Sequence, residues 1–275
     1  MAETQQGPPG VDTSKPSVAR IYDYLLGGVN NFPVDQAAAE LMKSRAPELV
    51  DGAFANRGFH QRAAKWIAEQ GVRQFIDLGS GLPTVGNTHV VVRKVHPDAH
   101  VVYVDNDPMV QVYGSQLLAG DDAAAVVLAD IRDPDSVLGS EAVRRLIDFR
   151  EPAALMLTAV LHFVSDEDDP ASLVARYVAP LAAGSYIALS HTTADHKPPR
   201  AVDAMNEAGR RSAGGNYLRT RDQVRQMVGT LDLVSPYEGA RPEITWVGLW
   251  GCDDPELADS EGSRWLYCAV AGKTG

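Results

Sequence analysis

The chain has 275 residues, 45% of them hydrophobic, and carries a formal net charge of −11 with a pI near 5.0. This length suits one large α/β domain with a helical addition, and the acidic balance disfavours a nucleic-acid partner. The two cysteines have neither a metal-ligand spacing nor a disulfide framework, and no apolar run is long enough to span a bilayer, so we expect a cytoplasmic protein without a metal or a membrane contact.

The N-terminal quarter of the chain is predicted to be helical. Residues 1–13 are polar and rich in Gly and Pro, which indicates a disordered tail. Helices are predicted over 14–26, with Ser14 or Ser17 as the cap, and then over 33–44 and 48–70. We therefore expect a helical cap over 14–71, followed by the main domain over 72–275.

A short apolar segment from Phe75 to Leu78 is predicted to form the first buried strand. Asp77 lies near its end, and Gly79-Ser80-Gly81 then turns the chain before a helix predicted over 87–95. A strand, a glycine turn and a helix make the first half of a βαβ unit. Ligands bind such sheets outside the carboxyl ends of the strands, which is where this turn lies.

The next predicted strand, 100–105, also ends in a carboxylate. Asp107 suits the N-cap of the following helix, with Pro108 at the first helical position. Asp105 is then left free at the strand end, beside Asn106, where it can accept hydrogen bonds from both ribose hydroxyls of a nucleoside. The alternative is that Asp77 is a turn residue and Asp105 a second cap.

The glycine spacing favours one nucleoside cofactor over others. Glycines stand at 79, 81 and 86, and Thr84 occupies the place of the third glycine in G-x-G-x-x-G, where a pyrophosphate needs close approach. S-adenosylmethionine (SAM) has no phosphate, and Asp77 can bind its ammonium group directly or through water. The Asp-x-Gly-x-Gly pattern resembles the first motif of class I SAM-dependent methyltransferases.

The later strands are predicted over 124–129, 153–158, 185–190, 231–235 and 265–271. The segment Ala159-Val-Leu-His-Phe-Val164 continues from the end of the fourth strand over the expected methyl-transfer site. His162 is the candidate general base, because the pKa of histidine lies near working pH. The alternative is a histidine hydrogen-bonded beneath the cofactor. A substrate-cover helix is predicted over 200–215, and an acidic connection over 236–264.

The segment Ala19-Arg-Ile-Tyr-Asp-Tyr-Leu-Leu-Gly-Gly-Val-Asn-Asn-Phe-Pro-Val-Asp35 resembles the N-terminal signature of a bacterial family called S-adenosyl methyltransferase. The resemblance continues through the segments 75–84, 102–108, 130–134, 159–164 and 184–191. It implies a class I fold and SAM binding, with S-adenosylhomocysteine (SAH) as the product, and it names no substrate. The chain departs from the family pattern after residue 195, where 244–250 is more apolar.

Further cofactor contacts are expected with the help of this resemblance. Arg20, Tyr22 and Asn31 can reach the carboxylate or the ribose, since an arginine grips a carboxylate bidentately. Tyr22 equally suits a helix core, and Arg20 is otherwise a solvated charge. The resemblance also implies that Asp130 accepts from the adenine amino group and that Ile131 packs on the ring; the alternative is that Asp130 caps a turn.

We predict a Rossmann-like class I methyltransferase with a seven-stranded, mostly parallel sheet whose last strand is antiparallel. It should methylate a small molecule, with its oligomeric state left open. The expected cofactor-binding residues are Arg20, Tyr22, Asn31, Asp77, Gly79, Ser80, Gly81, Asp105, Asn106, Asp130, Ile131 and Ala159. The first alternative is a non-catalytic SAM-binding regulatory or partner module. The second is a nicotinamide-dependent reductase, disfavoured by the third-glycine position and by the lack of a Tyr-x-x-x-Lys pair.

Overall fold

The computed structural model describes residues 7–8, 10–211 and 215–275, and three helices precede its first strand. They are α1 (Val18–Leu25), α2 (Pro33–Arg45) and α3 (Leu49–Glu69). Ser17, one of the two predicted caps, begins α1 by accepting a hydrogen bond from the Arg20 amide. Of the expected tail, residues 1–6 and 9 lie outside the described residues.

The strands form one mixed sheet in the described part of the chain. They are β1 (Gln74–Leu78), β2 (His100–Asp105), β3 (Ala124–Leu128), β4 (Ala154–Thr158), β5 (Tyr186–Thr192), β6 (Asp232–Leu233), β7 (Thr245–Trp246) and β8 (Leu266–Gly272). The first five run parallel in the order β3-β2-β1-β4-β5, and β8 lies antiparallel beside β5. The predicted α/β class, with a mostly parallel sheet and an antiparallel last strand, is confirmed.

The far edge of the sheet differs from the prediction of a single sixth strand. Two short strands, β6 and β7, pair antiparallel with opposite ends of β8, which makes eight strands within the described residues. Pro236 follows β6 closely, and a proline has no backbone N–H to donate to a strand ladder. The chain therefore leaves the edge after β6 and returns to it only at β7.

The remaining α-helices within the described residues connect the strands. They are α4 (Thr88–Val92), α5 (Pro108–Leu117), α6 (Pro134–Leu138), α7 (Glu141–Leu146), α8 (Pro170–Val178), α9 (Pro199–Arg211), α10 (Arg221–Val228) and α11 (Pro255–Ala258). The predicted substrate-cover helix corresponds to α9, and residues 212–214 of it lie outside the described residues. No helix in the ranges described is both long and apolar enough to cross a membrane.

Helices cover both faces of the sheet, which is why β1 and β4 are buried throughout or nearly so. One face packs on α7, α8 and α10 through side chains that include Val143, Tyr177 and Met227. The other face packs on α3 and on the C-terminal segment that carries Trp250 and Trp265.

Arg62 of α3 connects this helix to the C-terminal part of the chain through hydrogen bonds. Arg62 Nε donates to the Trp250 carbonyl at 2.7 Å, and its Nη2 donates to the Val247 carbonyl at 2.7 Å. Trp250 also meets the ring of Phe59 edge-on, with 5.8 Å between the ring centroids. Helix α3 thus lies along the sheet, with one end near the carboxyl ends of the central strands.

Candidate active site

The turn after β1 is shaped by two glycines in left-handed conformations, Gly79 (φ +70°) and Gly81 (φ +66°). The amides of Gly79 and Ser80 both donate to the Val104 carbonyl, which fixes the turn against the end of β2. A Cβ on Gly79 would lie 2.2 Å from Val160 Cγ2, whereas one on Gly81 would meet no described atom within 4 Å. Gly79 therefore packs against the segment after β4, and Gly81 borders open space.

Asp105 lies beside this turn. Its position at the strand end predicts a free carboxylate, but the carboxylate is not free in the structure. Its Oδ2 accepts from the Gly81 amide at 2.8 Å, and its Oδ1 accepts from the Asp107 amide at 2.9 Å. A carboxylate oxygen has two lone pairs, so one acceptor position remains on each oxygen. Burial raises the pKa of Asp105, and the backbone donors oppose that shift.

Asp107 has the capping role that its sequence position predicts. Its Oδ1 accepts from the Met109 amide at 2.8 Å in the first turn of α5. Its Oδ2 also accepts from the Ser17 hydroxyl at 2.5 Å. The neighbouring carboxylates Asp105 and Asp107 thus face different groups, the first facing the glycine turn and the second α5 and the start of α1.

Asp77 begins a chain of buried hydrogen bonds that crosses the floor of the site. Its Oδ2 accepts from the Thr88 hydroxyl at 2.6 Å. Thr88 Oγ1 lies 2.8 Å from His60 Nε2, and His60 Nδ1 lies 2.9 Å from Thr158 Oγ1. Since an ionised Asp77 takes the only Thr88 hydrogen, we assign the Nε2–H tautomer to His60, and Thr158 donates to Nδ1.

Burial sets the charge states in this chain of hydrogen bonds. It raises the pKa of Asp77 to about 6, against which the Thr88 hydrogen bond acts. Burial, with the nearby Arg57 charge, lowers the pKa of His60 to about 3. At neutral pH His60 is therefore uncharged, while Asp77 is mostly ionised and close to its titration range.

A narrow cavity next to the glycine turn is lined by Arg57, Asp77, Ser80 and Gly81. Arg57 comes from α3, and its Nη2 donates to Asn87 Oδ1 at 3.1 Å. The buried Arg57 Nε and Ser80 Oγ have no hydrogen-bond partner in the part of the chain that the structure describes. The cavity thus combines a buried carboxylate with a guanidinium that has unused donors.

The residues of α1 and of the following loop that were predicted to contact the cofactor are hydrogen-bonded to other protein groups. Arg20 is 3% exposed, and its Nε pairs with Asp35 Oδ2 at 2.8 Å. Asn31 Nδ2 donates to Asp23 Oδ2 at 2.9 Å. Tyr22 donates to the Ala53 carbonyl at 3.0 Å. These polar groups hold the N-terminal helices together, and Arg20 is neither solvated nor turned toward the glycine turn's cavity.

Helix α3 also reaches the ends of β4 and β5 through Asn56, which sequence analysis did not single out. Asn56 Oδ1 accepts from Ser190 Oγ, which in turn accepts from the Ala159 amide at 2.9 Å. Ala159 itself has φ +54°, a conformation that is costly for a residue with a Cβ. Asn56 and His60 are one helical turn apart on a face otherwise made of Ala53, Phe59 and similar residues. Such a polar pair on an apolar stripe was the available sequence signal.

The residues expected at the adenine lie after β3. Arg132 donates to both oxygens of Asp130, from Nε at 3.0 Å, and it lowers the pKa of that carboxyl. Asp130 Oδ1 also accepts from the Arg132 amide at 2.9 Å, which is the turn-capping contact of the alternative, and Asp133 caps the helix that begins at Pro134. Ile131 is buried, and its carbonyl accepts from Tyr177. Asn106 is exposed at the end of β2.

His162 lies in a short 3₁₀ turn, Leu161–Phe163, at the end of β4. It is 5% exposed, and its Nδ1 has no hydrogen-bond partner among the described residues. Burial, with His191 and Arg219 adding to it, lowers its pKa well below the ordinary value. The ring centroids of His162 and His191 lie 5.6 Å apart.

Arg219 holds the His162 turn in place, and sequence analysis did not identify it. Its guanidinium donates to the carbonyls of Leu161 and Val164 on either side of the turn. It also donates to His191 Nε2 at 3.0 Å and pairs with Asp166. Arg219 follows α9 in the chain and contacts the segment after β4 and the end of β5. Across the described ranges, no three His, Cys, Asp or Glu side chains cluster as a metal site would require.

Comparison with known proteins gives consistent matches over the whole chain. The model of a family described as S-adenosyl methyltransferase matches residues 4–274. A candidate methyltransferase of Thermobifida fusca is 40% identical, and its crystal structure gives a TM-score of 0.89 over 98% of both chains. A DUF574 family protein from Streptomyces avermitilis is 38% identical, with a TM-score of 0.88 over 95% of this chain and 99% of that one. No curated protein is significantly similar in sequence.

Proposed function

We propose a substrate class and a set of site roles from the premise that this chain belongs to the S-adenosyl methyltransferase family. The chain is a SAM-dependent methyltransferase with the class I fold. Its acceptor, we propose, is a small organic molecule. The net charge of −11 supports this, because a chain of that charge repels polyanionic acceptors such as DNA and RNA.

The residues at the glycine turn fit this cofactor. Asp105 retains one acceptor position on each carboxylate oxygen, which suits two ribose hydroxyls. Open space adjoins Gly81, and the buried Ser80 hydroxyl has a hydrogen bond still to make within the described structure. Asp77 would hold the ammonium group, and Asp130 with Ile131 the adenine. When bound, SAM supplies an electrophilic methyl group.

One observation carries this assignment: the Asp105 carboxylate accepts from the Gly81 amide, which joins the end of β2 to the glycine turn after β1. A ribose-binding carboxylate and a turn open to a ligand are thereby held together at the carboxyl edge of the sheet. That edge is where parallel α/β sheets bind their ligands. The bond also keeps the Asp105 side chain in place before the cofactor arrives.

For His162 we propose the role of accepting a hydrogen bond from the methyl acceptor. Its low pKa keeps the imidazole neutral, and its Nδ1, which has no partner among the described residues, can accept through its lone pair in the Nε2–H tautomer. The Arg219 contacts on both sides of the turn hold the ring in one position. A strong base is not required, because SAM provides the reactivity and the protein positions the reactants.

We also propose a bacterial cytoplasm as the location. Cys252 and Cys268 are both free thiols, which supports a reducing compartment. Burial raises the pKa of Cys268 well above its ordinary value, so this thiol is held in its unreactive protonated form.

A thermal-shift assay followed by a metabolite screen tests the function. We expect SAH to raise the melting temperature and NAD to leave it unchanged, because a ligand that binds the folded state stabilises it. A shift with NAD and none with SAH would reject the assignment. Incubation of metabolite pools with labelled SAM should then label a small molecule. SAH binding without labelling of any pool would favour the non-catalytic module.

A further inference from the structure

Two side chains of opposite charge, Asp77 and Arg57, line the cavity beside the glycine turn, and they have different hydrogen-bond partners. Asp77 lies near the end of β1 and, within the described residues, receives one side-chain hydrogen bond, from Thr88. Arg57 faces the same cavity from α3, and its charge contributes to lowering the pKa of Asp77 against the effect of burial. The two side chains are not within ion-pair distance of each other in the described structure, so each can take a separate ligand group.

Arg57 differs from the other arginines described at the site in having a buried donor, Nε, without a hydrogen-bond partner among the described residues. Arg20 pairs with Asp35, Arg219 pairs with Asp166, and Arg62 donates to two main-chain carbonyls. Arg57 has no carboxylate partner among the described residues, and its contacts there are Asn87 Oδ1 and, at 3.5 Å, the Val85 carbonyl. Its buried Nε makes no hydrogen bond to any described group. A buried donor without a partner costs free energy, which a suitable ligand would recover.

A ligand that complements both groups is the zwitterionic end of an α-amino acid. Its ammonium group matches the Asp77 carboxylate, and its carboxylate matches a guanidinium, which presents N–H donors as a planar fork. Asn87 Oδ1 already fixes Arg57 Nη2, so little side-chain freedom is lost on binding. The partnerless Ser80 hydroxyl in the same lining adds one further donor.

We propose that Arg57 binds the carboxylate of the cofactor's amino-acid end and makes the site selective for cofactors that retain this carboxylate. Arg57 thus takes the role that sequence analysis gave to Arg20. This inference rests on the proposed cofactor site and adds a specificity to it. A decarboxylated cofactor would leave the Arg57 fork unpaired and should be rejected on that account.

Isothermal titration with a matched ligand pair tests this. The pair is SAH and its decarboxylated form, 5′-(3-aminopropylthio)-5′-deoxyadenosine, which keeps the ammonium group. We expect the wild-type protein to bind SAH about tenfold or more tightly than the decarboxylated form, as the loss of charge-assisted hydrogen bonds implies. In Arg57→Met the two ligands should bind equally, and in Arg57→Lys the preference should be partly retained.

The ratio of the two affinities is measured within one protein, so a general loss of stability does not change its meaning. Arg62→Met is the matched control on the same helix, and it should keep the wild-type ratio even if it melts earlier. An Arg57→Met protein that keeps the wild-type preference would overturn the inference, as would a wild type that binds both ligands equally. Failure of the wild type to bind either ligand would instead reject the proposed cofactor site.

Discussion

Asp77 is ionised at neutral pH in a place where burial makes its charge costly. The side chain is nearly inaccessible, and its pKa rises from 3.8 to about 6. A carboxyl group whose pKa is raised by folding favours the folded state fully below pH 3.8. That contribution is lost as the pH rises through 6. Above pH 6 the folded protein therefore holds an unfavourable charge, which a bound ammonium group would offset.

Asp77→Asn should stabilise the protein at pH 8 while weakening SAH binding. We expect a gain of roughly 1–3 kcal/mol in unfolding free energy, because one pKa unit corresponds to about 1.36 kcal/mol. At pH 4 the gain should disappear, since Asp77 is then protonated in the folded state. Urea unfolding at both pH values measures this, with the exposed Asp253→Asn as the control. A variant less stable than the wild type at pH 8 would contradict the argument.

Asp105 and Asp107 offer a second comparison between neighbouring carboxylates. Asp105→Ala should weaken SAH binding by on the order of 2–4 kcal/mol, since it removes charge-assisted hydrogen bonds to the proposed ribose site. Asp107→Ala should cost about 1–2 kcal/mol of stability through the lost α5 cap and the lost Ser17 hydrogen bond, and leave the affinity nearly unchanged.

Calorimetric titration and urea unfolding of both variants separate the two effects. Asp105→Ala also leaves the Gly81 amide without its acceptor, so its stability should fall as well. Asp105→Asn retains an acceptor oxygen and should recover part of that stability. If Asp107→Ala lost the ligand and Asp105→Ala kept it, the ribose assignment would be wrong.

Helix α3 is the element that connects the N-terminal helices with the floor of the site. Asn56, Arg57 and His60 lie within about one helical turn and reach Ser190, the glycine-turn cavity and Thr158 respectively. Their contacts pass through α4 and the ends of β4 and β5. A substitution on α4 should therefore change how Asp77 titrates.

Thr88→Val in α4 is the variant that tests this connection. It removes the hydrogen bond that opposes the rise in the Asp77 pKa, so that pKa should rise above 6. SAH affinity should then fall with decreasing pH at a midpoint about half to one pH unit higher than in the wild type, in proportion to one lost hydrogen bond. Titration calorimetry from pH 5 to 8 gives the midpoint. Thr245→Val, a buried threonine on β7, should leave it unmoved.

The elements that could be predicted from sequence are those defined by local pattern. The first two strands, the glycine turn and the Asp107 cap each follow from a few adjacent residues. Partners distant in the chain could not be predicted, because no local pattern identifies them. His60 meets Thr158 across 98 residues, and Asn56 meets Ser190 across 134. Arg20 was expected to bind the cofactor, but in the structure it pairs with Asp35. The sequence does not indicate this pair, because the two residues meet only through the fold of the loop between them.

At the scale of the molecule, three histidines of the described ranges are buried and uncharged at neutral pH. Burial lowers the pKa of His60 to about 3 and that of His191 to about 4, and it lowers the pKa of His162 well below its ordinary value. A group whose pKa is depressed by folding stabilises the folded state above its unfolded pKa, near 6.5. That stability is lost as the pH falls toward the folded value. Asp77 acts in the opposite direction between pH 6 and 3.8.

The free energy of unfolding should therefore decrease as the pH falls from 6 to 4. The three histidines, set against the raised pKa values of Asp77 and Asp105, leave about one to two protons taken up on unfolding, which gives a slope of roughly 1–3 kcal/mol per pH unit. Urea unfolding at half-unit steps measures it. His191→Gln should reduce the slope by about 1 kcal/mol per pH unit, in line with one proton fewer. A stability that is flat over this range would show that these histidines are not held neutral.

The position of α3 also determines when the protein can complete its fold during synthesis. Arg62 donates to carbonyls 185 and 188 residues further along the chain, and the same helix packs on the last strand of the sheet. Contacts so distant in sequence form slowly. A nascent chain emerges from the ribosome N-terminus first, so the apolar side of α3 has no complete surface to cover it until β8 has emerged. We expect this helix to be the segment that a chaperone holds during translation, and the proposed cofactor site to close only after release of the finished chain.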